Sequence, residues 1–496
     1  ELPDASTRAL AQVARNDAGI IVIGAGPVGM RFTHDLLARK PQLAVHLFGD
    51  EACKPYNRIQ LSALLAGEIN RDDIDLPLPA LGNHPNFQFT SSAIVEIDRE
   101  RKTVTDSSGT RFHYHKLVLA TGARAHIPNI PGIERQGVFS FRSLKDTESL
   151  YARILRSRHI VVVGGGLLGL EAAKGLLKFN TSVTVVQQSS RLMNRQLDEQ
   201  AAALLEAEVR ALGIDVITHS GVRSVEGFEH VTGVITRDGE TIHCDTVLFC
   251  TGITPNLELA RKARIPVGTG ILVNDQMRTS DPDIFAIGEC CEHLGVTYGL
   301  VNPGYEQAAV TAEIIAGEPQ NNLPRYLGSM AISHLKVVGT SVCSLGEISE
   351  LPSRPFQKEL QYFDKPSGAY RKLVLLRGKI IGAVAIGNWP ESRRVQEAYQ
   401  NARKIRFWHL LRFYLTGTLW GKGGDDIGNW PSGTIICQCN NISYGALSSA
   451  IANNCSTLPE LQDRTRAGTV CGSCKPLLQQ LLGVAGMERE SGATTL

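Results

Sequence analysis

The chain has 496 residues, 43% hydrophobic and 20% charged, the composition of a folded protein with room for about three domains and not of a disordered tract. Its 51 Lys and Arg against 49 Asp and Glu leave a net charge of +2, which gives no basic field for nucleic acid, and no apolar run approaches the ~20 residues of a bilayer crossing. Eleven cysteines, scattered until they bunch near the C-terminus, and a polar stretch Glu1–Asp17 without an apolar signal core point to a reduced, cytoplasmic chain.

In chain order, the first predicted element is a strand, Ile20–Ile23, leading into Gly24-Ala25-Gly26-Pro27-Val28-Gly29. A helical pattern to about Arg39 and a second strand, Leu43–Phe48, complete a strand, glycine turn, helix, strand unit. The spacing has a physical reason. Gly24 makes the tight turn, Gly26 lets backbone N–H groups approach a pyrophosphate, and Gly29 lets helix and strand pack closely, with the helix N-terminus facing the phosphates. Gly49 stands where a ribose-binding acid is expected, and Asp50 or Glu51 just beyond could take that place.

Leu117–Leu119 is next a strand that ends in Ala120-Thr121-Gly122, with Arg124 following. A second dinucleotide unit then appears: strand His159–Val163, Gly164-Gly165-Gly166-Leu167-Leu168-Gly169, helix Leu170–Phe179 and strand Ser182–Gln187. Two such units in one chain predict two bound dinucleotides. Gln187 replaces the usual ribose-binding acid and Arg191 could meet a 2′-phosphate, which leaves NADH and NADPH both open. Val247–Cys250 with Thr251-Gly252 repeats the strand-to-turn pattern, and Ile284–Ile287 runs into Gly288-Glu289, a carboxylate at the end of the sheet.

Alternating strands and turns between about Leu323 and Pro390 predict a small α+β domain. The basic and aromatic stretch Ala402–Tyr414 is expected to pack the last module onto the body or a partner, and Gly421–Gly433 reads as a Gly-rich connection. Cys437 and Cys439, then Cys471 and Cys474, form two close thiol pairs able to surround one metal centre, either zinc or an iron–sulfur cluster. The tight C-x-C pair argues against zinc. Vicinal Cys290 and Cys291 are read as packing beside a strand.

The ordered loops, strands and turns resemble the two-dinucleotide flavoproteins of the glutathione-reductase type. That resemblance implies FAD on Gly24, Gly26, Pro27 and Gly29, with Asp50, Glu51, Ala120, Thr121, Gly122, Arg124 and Gly288 around it, and Glu289 where Asp usually holds a ribityl hydroxyl. It places NAD(P)H on Gly164, Gly166, Leu168, Gly169, Gln187 and Gly252, and assigns no side chain a catalytic role, since the flavin mediates the hydride transfer. The segment Arg466–Cys474 resembles the bacterioferritin-associated-ferredoxin type of [2Fe–2S] module, which implies Cys437, Cys439, Cys471 and Cys474 as ligands.

With Pro55–Ser62, Leu65–Glu68, Glu171-Ala172-Ala173, Arg191–Met193 and Arg195–Asp198, the chain further resembles the FAD- and NADH-binding electron-transfer subunits of assimilatory nitrate reductases. It is also similar to the N-terminal half of siroheme NADH-nitrite reductase large subunits. The likeness implies that Arg58 lines the FAD, that Glu171 lies near the nicotinamide, and that NADH is the donor. It also implies that electrons leave the cluster for a molybdenum-dependent nitrate reductase catalytic subunit. A nitrite reductase, or another redox or iron-storage protein, is the alternative acceptor; nucleic acid and membrane are not expected. The expected architecture is α/β: an FAD-binding domain (18–145 and 246–320), an NAD(P)H-binding domain (146–245), a small α+β domain (321–395), a linker (396–434) and a helical [2Fe–2S] module (435–485).

Overall fold

The structure, a computed structural model, describes residues 19–76, 85–317, 324–330, 332–348, 354–421, 430, 432–437, 442–469, 474–475 and 477–483. They fall into two compact units, one within Glu1–Leu61, Ile69–His126 and Ile253–Ser329, the other within Ser62–Glu68, Ile127–Gly252 and Met330–Leu496.

The first unit is built on a parallel sheet. Strand β1 (Gly19–Ile23) lies between β2 (Val45–Gly49) and β3 (Arg111–Leu119), with Phe87–Ser91 beyond β2. Ile284–Ala286 lies parallel to the second half of β3, while the first half of β3 pairs antiparallel with Thr103–Asp106. Ile21, Val22, Leu117, Val118 and Leu119 are apolar on both strand faces because helices cover the sheet, which is why these strands read as unbroken apolar runs. Helix α1 (Pro27–Arg39) starts with Pro in its first turn and turns Met30, Phe32, Leu36 and Leu37 into this core, beside the helix Val301–Ala316.

The second unit repeats the motif. Strand β4 (His159–Val163) lies parallel between β5 (Ser182–Val186) and β6 (Thr246–Phe249), and helix α2 (Leu167–Leu176) leaves the turn after β4. Helix α3 (Glu199–Ala211) is N-capped by Asp198, whose Oδ1 accepts the Ala201 N–H at 3.0 Å. A five-stranded antiparallel sheet follows, including Gln357–Asp364, Ala369–Leu376 and Lys379–Ile386. Helices α4 (Ser392–Gln400) and α5 (Phe407–Thr416) lie against it.

The stretch read as a linker differs over 396–421. Val395, Phe413 and Leu419 are wholly buried in one core with Leu345, Leu373 and Trp389. The Glu391 carboxylate accepts the backbone N–H groups of Leu419 (2.5 Å) and Trp420 (2.8 Å), which ties the segment to the start of α4. Residues 422–429 and 431 of the expected connection lie outside the described residues. The last module holds a two-stranded pairing, Ile435–Cys437 with Ile442–Ser443, then helices Tyr444–Ala452 and Leu458–Thr465, each started by a side-chain cap from Ser443 and Thr457.

Candidate functional site: two nucleotide loops and a thiol pair

The first glycine loop is closed from behind and open in front. Gly24 has φ +117°, and a Cβ there would lie 2.1 Å from the Ala120 carbonyl oxygen; one on Gly29 would lie 2.0 Å from the Gly24 oxygen. Gly26, at the N-cap of α1, would place its Cβ in open space, with only the Arg58 guanidinium within 4 Å. No side chain caps this helix and no acid stands in its first turn, so its leading N–H groups are left for an anion. Glu51 accepts from Tyr56 Oη (2.7 Å) and Arg58 Nη2 (2.8 Å), which holds the guanidinium beside Gly26. Glu51 is thus the half-buried positioning acid and Asp50 is exposed.

Ala120 packs against the loop, and Thr121 and Gly122 are fixed by Asn256, whose Nδ2 donates to the Thr121 carbonyl at 2.8 Å and whose N–H donates to the Gly122 carbonyl. Arg124 turns outward to an exposed pair with Glu258 at 2.8 Å. Gly288 has φ +83°, and its N–H donates to the buried Gln307 Oε1 at 2.8 Å; Glu289 beside it is half-buried. Cys290 donates to the Leu119 and Ile287 carbonyls and Cys291 to the Gly288 carbonyl and Gln307, and burial pushes both thiols up. They are protonated packing groups, poor nucleophiles.

The second loop reproduces the first. Gly164 has φ +118° with a Cβ position 2.4 Å from the Cys250 oxygen, Gly169 would meet the Gly164 oxygen at 1.9 Å, and nothing lies within 4 Å of a Cβ on Gly166. Gln187 Oε1 accepts the Gly165 N–H at 2.7 Å, so the residue in the ribose-acid position is spent on holding the loop. Arg191 Nε donates to the Leu197 carbonyl at 3.0 Å. Leu168 and Glu171 lie half-buried along the first turns of α2, and Gly252, φ +114°, has open space around it. Burial pushes the Glu171 carboxyl up, and a Ser62 hydrogen bond and Lys174 partly offset it.

In the last module, Cys437 and Cys474 are buried, 1% and 5% exposed. The Gly468 N–H donates to Cys437 Sγ at 3.5 Å, as it would to a thiolate ligand. Arg393 from α4 donates to the carbonyl of Ile436, the residue before Cys437. Cys439 and Cys471 lie outside the described residues, and among the described residues no three His, Cys, Asp or Glu side chains gather into a metal site. Cys455, which fits neither pair, packs at the turn between the module's helices, its thiol 3.8 Å from the Glu460 carbonyl.

These sites suit the groups the sequence implies. Two loops have a Cβ-free cradle over an uncapped helix N-terminus, the chemistry of pyrophosphate binding; one buried thiol, Cys437, accepts an N–H, and Cys437 and Cys474 share a nearby cation, the chemistry of an anionic cluster. Asn256, Gln307 and Arg393 are absent from the sequence-derived set. Each acts across a long chain separation on a backbone group, which leaves no local motif.

Among known families, residues 332–403 match the rubredoxin NAD+ reductase C-terminal domain and residues 435–483 the BFD-like [2Fe-2S] binding domain. The chain is 36% identical to the nitrite reductase [NAD(P)H] of Bacillus subtilis (strain 168), over 93% of this chain and 57% of that protein. It is 34% identical to the assimilatory nitrate reductase electron transfer subunit of the same organism, over 93% of this chain and 59% of the relative. It therefore spans less than two thirds of the length of these relatives. The crystal structure of NADH:rubredoxin oxidoreductase from Clostridium acetobutylicum is 26% identical with a TM-score of 0.66, covering 80% of this chain and 99% of that one. FAD, NAD(P)H and a [2Fe–2S] cluster are accordingly the cofactors of this chain. Residues 18–313, more than half of the sequence, match the pyridine nucleotide-disulphide oxidoreductases, and the chain belongs to that family.

Proposed function

We propose that this chain is the electron-input component of nitrate assimilation, a cytoplasmic protein that takes electrons from NADH and delivers them to a molybdenum-dependent nitrate reductase catalytic subunit. The observation that carries the reading is the pairing, in one chain, of two nucleotide loops of the same geometry with a buried thiol module. Bound flavin supplies the exchange between a hydride donor and one-electron acceptors, which is the reason for a chain to own both a nucleotide site and a cluster. The chain's residues bind and orient. Gly24, Gly26 and Gly29 seat FAD with Arg58 beside the pyrophosphate, and Gly164, Gly166 and Gly169 seat the NADH pyrophosphate. Glu171 sits toward the nicotinamide, and the four module cysteines hold the cluster through which electrons leave.

The FAD-side roles of Ala120, Thr121, Gly122, Gly288 and Glu289 belong to the same proposal. So do the domain limits, with the linker narrowed to the residues after 421. The assimilatory subunit from Bacillus subtilis supports the nitrate acceptor, and the nitrite reductase relative supports a second reading as the input part of a nitrite-reducing enzyme. Among the described residues no helix is long and apolar enough to cross a membrane.

The test mixes purified, FAD- and iron-quantified chain with NADH and a nitrate reductase catalytic subunit lacking its own reductase. NADH-dependent nitrite formation at least tenfold above the subunit alone is expected. No stimulation, with nitrite consumed instead when a siroheme subunit is supplied, would select the second reading.

A further inference from the structure

One half-buried cation of α4 has no evident purpose in the sequence. Arg393 stands in the first turn of α4, and the acid nearest to it in sequence, Glu391, has its carboxylate spent on the N–H groups of Leu419 and Trp420. The Arg393 Nη1 donates to the Ile436 carbonyl at 3.2 Å, and its Cζ lies 5.8 Å from the centre of the Trp430 ring. Among the described residues it makes no ion pair with a carboxylate. Burial lowers its pKa, and the charges that raise it again are the sulfurs of Cys474 and Cys437.

A guanidinium even partly withdrawn from water is costly unless an anion compensates it. Among the described residues the charges that act on it are the Cys474 and Cys437 sulfurs, and the backbone bond to Ile436 fixes the cation one residue from the first proposed ligand. A four-thiolate [2Fe–2S] centre is anionic in both oxidation states and gains one further negative charge on reduction, so a fixed neighbouring cation favours the reduced state. Its planar fork and permanent charge suit Arg to this place.

We infer that Arg393, reaching from the small α+β domain into the cysteine module, is a positioning residue that raises the reduction potential of the cluster by supplying its compensating charge. The inference rests on the cluster reading above. The reaction it tunes takes one electron, supplied by NADH through the flavin, and moves no proton; the guanidinium stays charged throughout. Because the cation belongs to α4 and not to the module, the small domain sets how readily the module accepts an electron.

The test uses the full chain, wild type, Arg393→Gln and Arg393→Lys, each with iron counted per chain and a redox titration followed by the electron paramagnetic resonance of the reduced cluster. Arg393→Gln should keep its iron while its reduction equilibrium falls about tenfold, ~59 mV for one electron, and Arg393→Lys should stay near wild type. A fully loaded Arg393→Gln at the wild-type potential overturns the proposal, as does a Lys variant shifted as far as the Gln variant. If Arg393→Gln does not load, Arg393→Lys loaded at the wild-type potential upholds the charge requirement, and failure of both to load assigns the residue to the fold alone. Wild-type chain without iron would instead remove the cluster reading, and this proposal with it.

Discussion

Within each glycine loop the three glycines are required for different reasons, and substitution separates them. Gly24→Ala forces a Cβ to within 2.1 Å of a backbone oxygen at a positive φ, which neither a rotamer change nor a flexible neighbour can relieve. It should cost about 2 kcal/mol or more and lower the melting temperature of the apoprotein. Gly26→Ala adds its methyl to open space, so the apoprotein should melt within about 0.5 kcal/mol of wild type while FAD retention falls, because the pyrophosphate needs that space. Melting curves with FAD counted per chain decide this, and a Gly26→Ala protein with full FAD would show that the first loop is not the pyrophosphate cradle. The loop glycines were legible from spacing alone, since each demand is local. Gln187 shows where that stops: its position in the motif suggested a nucleotide contact, whereas its amide oxygen holds the Gly165 N–H. Nothing in the run Val185–Ser189 distinguishes a side chain pointing at ligand from one pointing at its own loop.

Elements are tied to one another by residues that serve two of them at once. Asp198 caps α3 with one oxygen, while the other accepts from Tyr370 Oη at 2.8 Å and lies 3.4 Å from Lys372 Nζ. Asp198→Ala loses the cap and leaves Lys372, 8% exposed, with Glu359 as its remaining acid, so it should cost roughly 2–4 kcal/mol against about 1 for an ordinary cap deletion. Chemical denaturation read against Asp198→Asn, which keeps part of the cap, measures the difference. A partner 172 residues away leaves no mark in the local sequence. The sheet of the first unit carries a pH response of its own. In β2, His46 is stacked on Phe48 and bonded to Thr90, and burial lowers its pKa from 6.5 to about 4. Unfolded chain takes a proton below pH 6.5 that the folded chain refuses until about pH 4, so stability is lost across that window, by up to about 3 kcal/mol. His46→Gln should flatten that part of the stability–pH curve in melts between pH 7 and 4; an unchanged slope would remove His46 as its cause. The expectation of a linker over 396–421 has a related cause. Phe407, Trp408, Leu411 and Tyr414 of α5 are exposed, and the single deep anchor, Phe413, is not distinguishable in sequence from its aromatic neighbours.

At the scale of the whole chain, electron entry and electron exit are assigned to different residues, and they should therefore come apart. The nucleotide loops depend on glycines of the two parallel sheets, whereas the exit depends on thiols of a separate motif near the C-terminus. Cys437→Ser removes a proposed ligand whose sulfur is buried and faces the Gly468 N–H, so the cluster should be lost and the full complement of FAD retained. NADH should still reduce the flavin, and a dye such as ferricyanide that draws electrons from flavin directly should be reduced within about twofold of the wild-type rate. Delivery to a protein acceptor should fall by about 100-fold or more, since the one-electron route is gone. Stopped-flow flavin bleaching beside steady-state acceptor reduction gives both numbers from one preparation. If flavin reduction falls along with delivery, the module is part of the entry site and the separation of roles is wrong. If delivery survives without iron, the acceptor draws on the flavin itself, and the cysteines serve the fold. The order of these modules could be read from sequence because each announces itself in a motif shorter than about fifteen residues. What couples them, such as Arg393 on the carbonyl of the residue before Cys437, emerges only from the folded chain, because the coupling groups lie on elements that the motifs do not contain.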